Sequence, residues 1–544
     1  MPFQAGLHII AVMAAIALAP VAALAADRPN IVVVVVDGLG DLATPLGGAN
    51  EILPDPEIRA RLTPNLDRLA ELGATFACAQ AVDTAKPPHV LATESERESV
   101  ATLLKAAGYT TAASGLSDGF EDWDETRPMV KRKGVPQRWE TGPVNPKSQQ
   151  GTPTPNWARL IPTDERGKDD LTIEAWERLT ESLDDQIAAT WAAERIARPS
   201  DKNNPQLLFV QLNDIGISLP TPGVFFDRFP LDQITLPRDA AEDRKDIPEA
   251  AQKIGLRIEK MTDEERRAAI QAYLACVSQV DYALGKVLEA VDVVNADDER
   301  ANDWTVFFVS TRGYQIGQKD IWGPESACGA ATHTNLMIYA PGITTPDQRV
   351  DTPVSVEGVA TTLAALAGVE SSARNLLLLL ATKGGWPGAV ALTKVGKEAS
   401  SLRSHRFRLI RYADGAEELY DHDHDAEEAH NLLDPNQTAN IKLFGLSEPQ
   451  VEAVRKWLRE RLEEELAKRA APGAKAVIDD HLPGDFNADG SVDAADSTVW
   501  RDNLGKEVPV GMQGDGDFDG RVEEDDRNVW LNNYGRKREP AAAE

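Results

Sequence analysis

Arg28-Pro29-Asn30-Ile31-Val32-Val33-Val34-Val35-Val36-Asp37-Gly38-Leu39-Gly40 is the stretch that decides the fold. Ile31 to Val36 are all β-branched, so both faces of an extended chain are buried here, as a central strand of a parallel sheet requires. The run stops at Asp37 and two nearby glycines, which delivers one carboxylate to the carboxyl edge of the sheet. Open α/β sheets bind their ligands at that edge.

Outward from this strand, helical and extended patterns alternate. Thr63-Pro64-Asn65-Leu66-Asp67-Arg68-Leu69-Ala70 predicts a helix ending near Gly73, with Leu66, Leu69 and Leu72 on its apolar face. A short helix is expected from Ser99 to Ala107, then strands at Tyr109–Ala113 and Leu207–Leu212. Thr262-Asp263-Glu264-Glu265 reads as a capping box opening the longest helix. Its buried face carries Tyr273, Val277, Val280, Leu284 and Leu288. Further strands are expected at Thr305–Ser310 and Asn335–Ala340, so the fold class is α/β with a mostly parallel sheet. Phe407 to Tyr420 reads as an antiparallel pair turning at Asp414-Gly415, followed by a charged amphipathic helix over 448–469. Residues 120–170, rich in Pro, Gly, Lys and Asp, read as a long surface insertion.

Composition narrows the function classes. A chain of 544 residues holds more than one domain. Residues 1–26 read as a secretory signal, with an apolar core from Ile9 to Ala19 and the small-residue site Ala23-Leu24-Ala25. No later stretch is apolar enough to span a bilayer, so the mature chain is expected to be secreted, periplasmic or held at the cell surface. A net charge of −30 argues against nucleic acid or an anionic membrane as partner. Cys78, Cys276 and Cys328 allow at most one disulfide, and Cys276 sits in an apolar stripe as a buried thiol would.

The C-terminus carries a repeat. Asp485, Asn487, Asp489, Ser491, Asp493 and Asp496 place oxygens at loop positions 1, 3, 5, 7, 9 and 12. Asp515, Asp517, Asp519, Glu523 and Asp526 repeat the pattern, with the Arg521 carbonyl at position 7. Gly490 and Gly520 occupy the sharp turn, and Trp500 and Trp530 recur in the helices that follow. This alternation suits a hard cation of six to eight oxygen ligands, and two calcium ions are expected. The paired loops, over 484–536, resemble a type I dockerin. That resemblance implies a calcium-folded docking module for a cohesin-like protein or a cell-surface component.

The remainder resembles the sulfatase family of the alkaline-phosphatase superfamily, in its iduronate-2-sulfatase-like branch. The matching stretches are Arg28-Pro29-Asn30 with its strand, Thr63 to Ala70, Gln271 to Gly285, Gly313-Tyr314-Gln315-Ile316-Gly317, Ala331-Thr332-His333, and Tyr412 to Asp421. The resemblance implies a sheet sandwiched by helices over 27–345, a smaller α+β subdomain over 346–470, a linker over 471–483, the calcium repeat and a tail over 537–544. It also implies hydrolysis of sulfate esters by a formylglycine made from cysteine, beside a calcium held by carboxylates.

The positions that should carry that chemistry have changed type. The nucleophile motif falls on Lys86-Pro87-Pro88-His89-Val90, with Lys86 for the cysteine and Val90 for the arginine. The twin aspartates become Asp37-Gly38, and the Asp-His metal pair becomes Thr311-Arg312. Leu116, Gly119, Ser218 and Pro324 stand at further sites where the resemblance implies Lys or His. No cation is therefore expected in the cleft, and the chain is expected to be a pseudo-sulfatase. Lys86, Arg312 and Lys319 bring positive charge there. These cations either hold a sulfated or carboxylated glycan or pair internally with Asp37. An active, iduronate-2-sulfatase-like sulfuric ester hydrolase acting on sulfated polysaccharide is the competing class, and a rebuilt site with Thr84 or another hydroxyl as nucleophile is the alternative route within catalysis. A purely structural surface protein is a third. Asp421-His422-Asp423-His424-Asp425, despite its composition, reads as a structural turn, and His89 as polar surface.

Overall fold

The computed structural model describes residues 28–85, 99–116, 123–128, 155–161, 171–176, 184–198, 203–213, 215, 218–237, 243–297, 303–369, 375–381, 388–470, 484–487, 491–508, 510–511, 513–516, 518 and 520–535. Eight strands form the main sheet: β1 (Asn30–Val36), β2 (Ala74–Phe76), β3 (Thr110–Leu116), β4 (Glu125–Pro128), β5 (Gln206–Leu212), β6 (Trp304–Ser310), β7 (Leu336–Tyr339) and β8 (Gln348–Val350). Their spatial order is β8-β2-β7-β6-β1-β5-β3-β4, which leaves β1 in the interior. β1 runs parallel to both neighbours, with Val36 beside Ser310 on β6 and Leu212 on β5. β7 runs antiparallel to β6 and β2, so the sheet is mixed on that side.

The alternation within β1 builds the layers. Val32, Val34 and Val36 join a cluster formed with helices α1 (Pro64–Leu72), α3 (Asp184–Ile196) and α4 (Asp263–Asn295). Ile31, Val33 and Val35 join the opposite cluster, with α2 (Val100–Ala106) and α5 (Gly358–Leu366). Each such fully buried side chain contributes about 1.5–3 kcal/mol over exposure. The capping box of α4 is present, with Thr262 accepting from the Glu265 amide and the Glu265 carboxylate accepting from the Thr262 amide.

Asp281 of α4 ties the first layer together. Its carboxylate accepts the amides of Asn65 (3.1 Å) and Leu66 (2.9 Å) at the start of α1, and the Asn65 Nδ2 at 2.9 Å. Burial raises its pKa to about 7 against the pull of those donors. Gly285, one turn on, lets the helices approach, since a Cβ there would meet the Asn65 side chain at 2.8 Å.

The second unit is a four-stranded antiparallel meander, β9 (Ala391–Val395), β10 (Ala399–Arg403), β11 (Phe407–Tyr412) and β12 (Glu417–Asp421). Leu402, Leu409 and Leu419 pack under Val454, Leu458 and Leu462 of α6 (Glu448–Ala470). At the β11–β12 turn Asp414 accepts the Ala416 amide and Gly415 takes φ +90°.

Within residues 120–170, expected as a surface insertion, the described stretches include two strands. Glu125–Pro128 extends the main sheet, while Pro155–Ile161 pairs antiparallel with Leu171–Trp176, which runs parallel to Ser218–Pro222. Short strands separated by charged and turn-forming residues lose the sustained periodicity by which a strand is recognised. All three cysteines are buried, and none of them is in a disulfide. Among the described residues, no helix is long and apolar enough to cross a membrane.

Candidate functional site

The pairing of β1 with β6 builds the sheet-edge site. Because Val36 lies beside Ser310, Asp37 and Thr311-Arg312 emerge side by side at the strand ends. The Thr311 amide donates to the Val36 carbonyl (2.9 Å), and its hydroxyl donates to Asp37 Oδ1 (2.5 Å). Arg312 closes a fork on the same carboxylate, with Nε donating to Oδ1 at 2.9 Å and Nη2 to Oδ2 at 2.8 Å. Its Nη1 donates to the Thr84 carbonyl. The side chains are 11% exposed at Arg312 and 21% at Asp37, so the pair is largely withdrawn from water.

Loop geometry locks this arrangement. The Ser310 hydroxyl donates to the Arg312 carbonyl (2.8 Å) and accepts the Leu39 amide (3.0 Å). Gly38 has φ +78°, and a Cβ there would meet Ile215 and Tyr314, each at 3.1 Å. Thr84 is buried, and its hydroxyl donates to the Ser326 carbonyl at 2.9 Å. One carboxylate with both oxygens engaged by a guanidinium does not fit a divalent cation, which needs several anionic oxygens. Nor does a guanidinium donating from all three nitrogens offer a free fork to a tetrahedral oxyanion.

The remaining expected positions scatter. Lys86, His89, Val90 and Gly119 lie outside the described residues. Leu116 ends β3, and Ser218 opens the strand of the separate three-stranded sheet. Pro324 follows the strand Ile321–Gly323, where its carbonyl accepts the Ser326 amide.

Lys319 belongs to a second polar centre, beside the meander. Its Nζ donates to Asp243 Oδ1 (2.9 Å) and the Glu428 carbonyl (2.7 Å), and lies 5.3 Å from the Tyr420 ring centroid. Burial disfavours its charge, but the Asp243 carboxylate outweighs that and holds its pKa above the ordinary lysine value. Arg408 pairs with Glu428 and donates to Ser401 and Gln80. Burial opposes ionisation of Glu428, yet the Arg408 charge keeps its carboxyl well below the usual range. His422 meets Glu428 at 2.9 Å, and burial, with Arg403 nearby, pushes its pKa down to about 3.

The Asp421–Asp425 run is structural in its contacts: Asp421 takes the Arg406 fork, and Asp425 accepts the amides of Ala429 and His430. Sequence reasoning missed Asp243, Arg403, Arg408 and Glu428. The available signal was Arg408 between Phe407 and Leu409, with Arg403 following Leu402 at the end of the strand before it.

In the repeat, α7 (Ala494–Asn503) and α8 (Glu524–Asn533) exchange contacts with two-fold regularity. Trp500 Nε1 donates to the Glu523 carbonyl (2.6 Å), and Trp530 Nε1 to the Asp493 carbonyl (2.7 Å). Asp485, Asp496, Asp515 and Asp526 are buried. Asp496 accepts the Asn487 and Asp493 amides, and Asp526 those of Gly516 and Glu523. Burial raises the Asp496 pKa, and the like charge of Asp485 adds to it. Asp489, Asp517 and Asp519 lie outside the described residues, among which no group of three His, Cys, Asp or Glu is arranged to hold a metal. The four buried carboxylates stand at positions 1 and 12 of the two loops and are of the chemical type that a hard cation takes as ligands.

A family model described as Sulfatase matches residues 29–369. The chain belongs to the sulfatase family. A sulfatase of Formosa agariphila is 28% identical over 460 residues, 76% of this chain and 83% of the relative. Human iduronate 2-sulfatase is 27% identical over 178 residues, only 30% of this chain and 32% of that protein, so likeness to that branch is distant. Among solved structures, the phosphonate monoester hydrolase of Agrobacterium radiobacter superposes with a TM-score of 0.60 at 16% identity, over 81% of this chain and 96% of the other. Another, solved with D-glucosamine-2-N,6-O-disulfate, gives 0.57 at 16% identity, over 81% and 98%. These two likenesses concern the fold.

Proposed function

We propose that this family member is a pseudo-sulfatase whose sheet-edge centre is an internal salt bridge. The supporting observation is the Arg312 fork on Asp37, in the place where the family resemblance implies metal ligands. Changes at Lys86 and Val90 act in the same direction, by removing the formylglycine precursor and its arginine. The opposing reading, a sulfuric ester hydrolase rebuilt around Thr84, is weakened by the engagement of that hydroxyl with Ser326. Turnover of aryl sulfates and of glycosaminoglycan sulfates by the purified chain, with mass analysis for conversion of any cysteine to formylglycine, separates the two. Measurable turnover at rates above a buffer blank returns the chain to the hydrolases.

The proposal extends to a secreted protein carrying a calcium-dependent, dockerin-like module for a cohesin-like or surface partner. Twin loop spacing and the exchanged tryptophan bonds support this. Metal analysis of the purified full chain after gel filtration tests it, with about two calcium ions per chain expected.

A further inference from the structure

The C-terminal repeat is not packed only on itself. Its two loops follow one spacing, yet they differ at position 4, where the first has Ala488 and the second Phe518. The two-fold exchange between α7 and α8 gives no reason for an aromatic residue in one loop alone. The reason lies on the body of the chain.

The Phe518 ring stands against Trp457 of α6, with centroids 5.3 Å apart and planes inclined at 40°. Ring pairs at such separations attract beyond the area they bury. Gly388, just before β9, leaves room for the ring, since a Cβ there would lie 2.7 Å from it. Val510 and Trp457 both pack on the core that the meander forms with α6, and the Ser447 hydroxyl donates to Glu507 at 3.2 Å.

Phe518 sits in the left-handed region, at φ +65°. A residue with a side chain keeps that conformation only where its surroundings hold it. Asp515, at position 1 of the loop, supplies part of that hold. Its Oδ2 accepts the Gly511 amide at 2.7 Å and the Gly520 amide at 2.9 Å. Gly511 lies directly against the Phe518 ring, where a Cβ would collide with it. One carboxylate thus serves both as a candidate cation ligand and as a support for the aromatic anchor.

We infer that the second loop of the repeat is a calcium-dependent clasp on α6 of its own chain, anchored by Phe518 on Trp457. The calcium dependence rests on the reading of the repeat given above, whereas the anchor does not. Both sides belong to one chain, so closure avoids the entropy cost of a bimolecular encounter. Leu504, Leu531 and Tyr534, towards the carboxyl ends of α7 and α8, stay exposed. A closed clasp therefore still presents that end of the repeat to a partner.

Hydroxyl-radical footprinting of the full chain, followed by peptide mass analysis, reads the exposure of the Trp457 side chain. In the calcium-loaded chain, Phe518→Ala should raise the Trp457 oxidation rate at least threefold, while metal analysis finds as much calcium as in wild type. Gly388→Leu fills the seat from the body, leaves the sequence of the repeat intact and should have the same effect; it decides the matter should Phe518→Ala lose its calcium. Stripping calcium from the wild type by chelation and gel filtration should also raise the rate at least threefold, with little further rise in Phe518→Ala. Unchanged Trp457 oxidation in both variants overturns the anchor. An unchanged rate after stripping overturns the calcium dependence, and a purified chain with no calcium to strip overturns the reading of the repeat on which that dependence rests.

Discussion

The sheet edge and the C-terminal repeat face the same electrostatic problem and resolve it differently. At the sheet edge a single carboxylate, Asp37, is neutralised within the chain by Arg312 and also accepts a hydrogen bond from Thr311. In the repeat, Asp485 and Asp496 in one loop and Asp515 and Asp526 in the other are buried, and backbone amides supply the bonds that Asp496 and Asp526 accept. An amide carries only a partial charge, so it moderates the repulsion between carboxylates without cancelling it. A site completed by its own arginine has no further need of a cation, whereas the proposed reading of the repeat leaves its carboxylates in need of one.

Calcium removal gives the largest contrast. Chelation with excess EGTA should unfold the repeat, seen as a red shift of Trp500 and Trp530 emission, while the main thermal transition stays in place. Loss of the main transition on chelation would mean that the large domain also depends on calcium.

Breaking the internal pair comes next. Arg312→Ala should destabilise the main domain by about 2–4 kcal/mol in denaturant unfolding, less than a fully buried pair because both groups retain some water contact. The double variant Asp37→Leu/Arg312→Met should recover most of that loss. Equal stabilities of the single and double variants would show that the fork does not compensate Asp37.

Restoring the second carboxylate sharpens the comparison from the other side. Gly38→Asp should cost roughly 1–3 kcal/mol, because φ +78° and the contacts with Ile215 and Tyr314 disfavour a side chain there. It should confer no calcium in the large domain by metal analysis. Stoichiometric uptake there would reveal an ion site that Arg312 merely occupies.

The smallest expected effect is one of pH. His422 stays neutral in the fold down to about pH 3, whereas the unfolded chain takes up that proton below about 6.5. The unfolded state then binds more protons, so this group costs stability as pH falls through that window. Wild type should therefore lose Tm relative to His422→Gln between pH 7 and 4, and a constant difference would remove His422 from the account.

Much of this was legible in one dimension. Six β-branched residues ending at an aspartate could serve only as a buried central strand, and the capping box of α4 is a local signal read within four residues. The C-terminal spacing is likewise local, since all the candidate ligands of each loop are contributed by twelve consecutive residues. The strands within 120–170 escaped because their periodicity is short and interrupted.

Sequence alone thus determined the fold class and the family resemblance, and it carries the proposal that the nucleophile motif is lost; all three are read from residue type and spacing along the chain. Tertiary structure decided how the sheet-edge residues are paired. The Arg312 fork on Asp37 spans 275 residues, and Phe518 of the repeat meets Trp457 of α6 from a separate unit of the fold. Ion pairs and ring contacts depend on distance and burial, and neither quantity is written in the order of the residues.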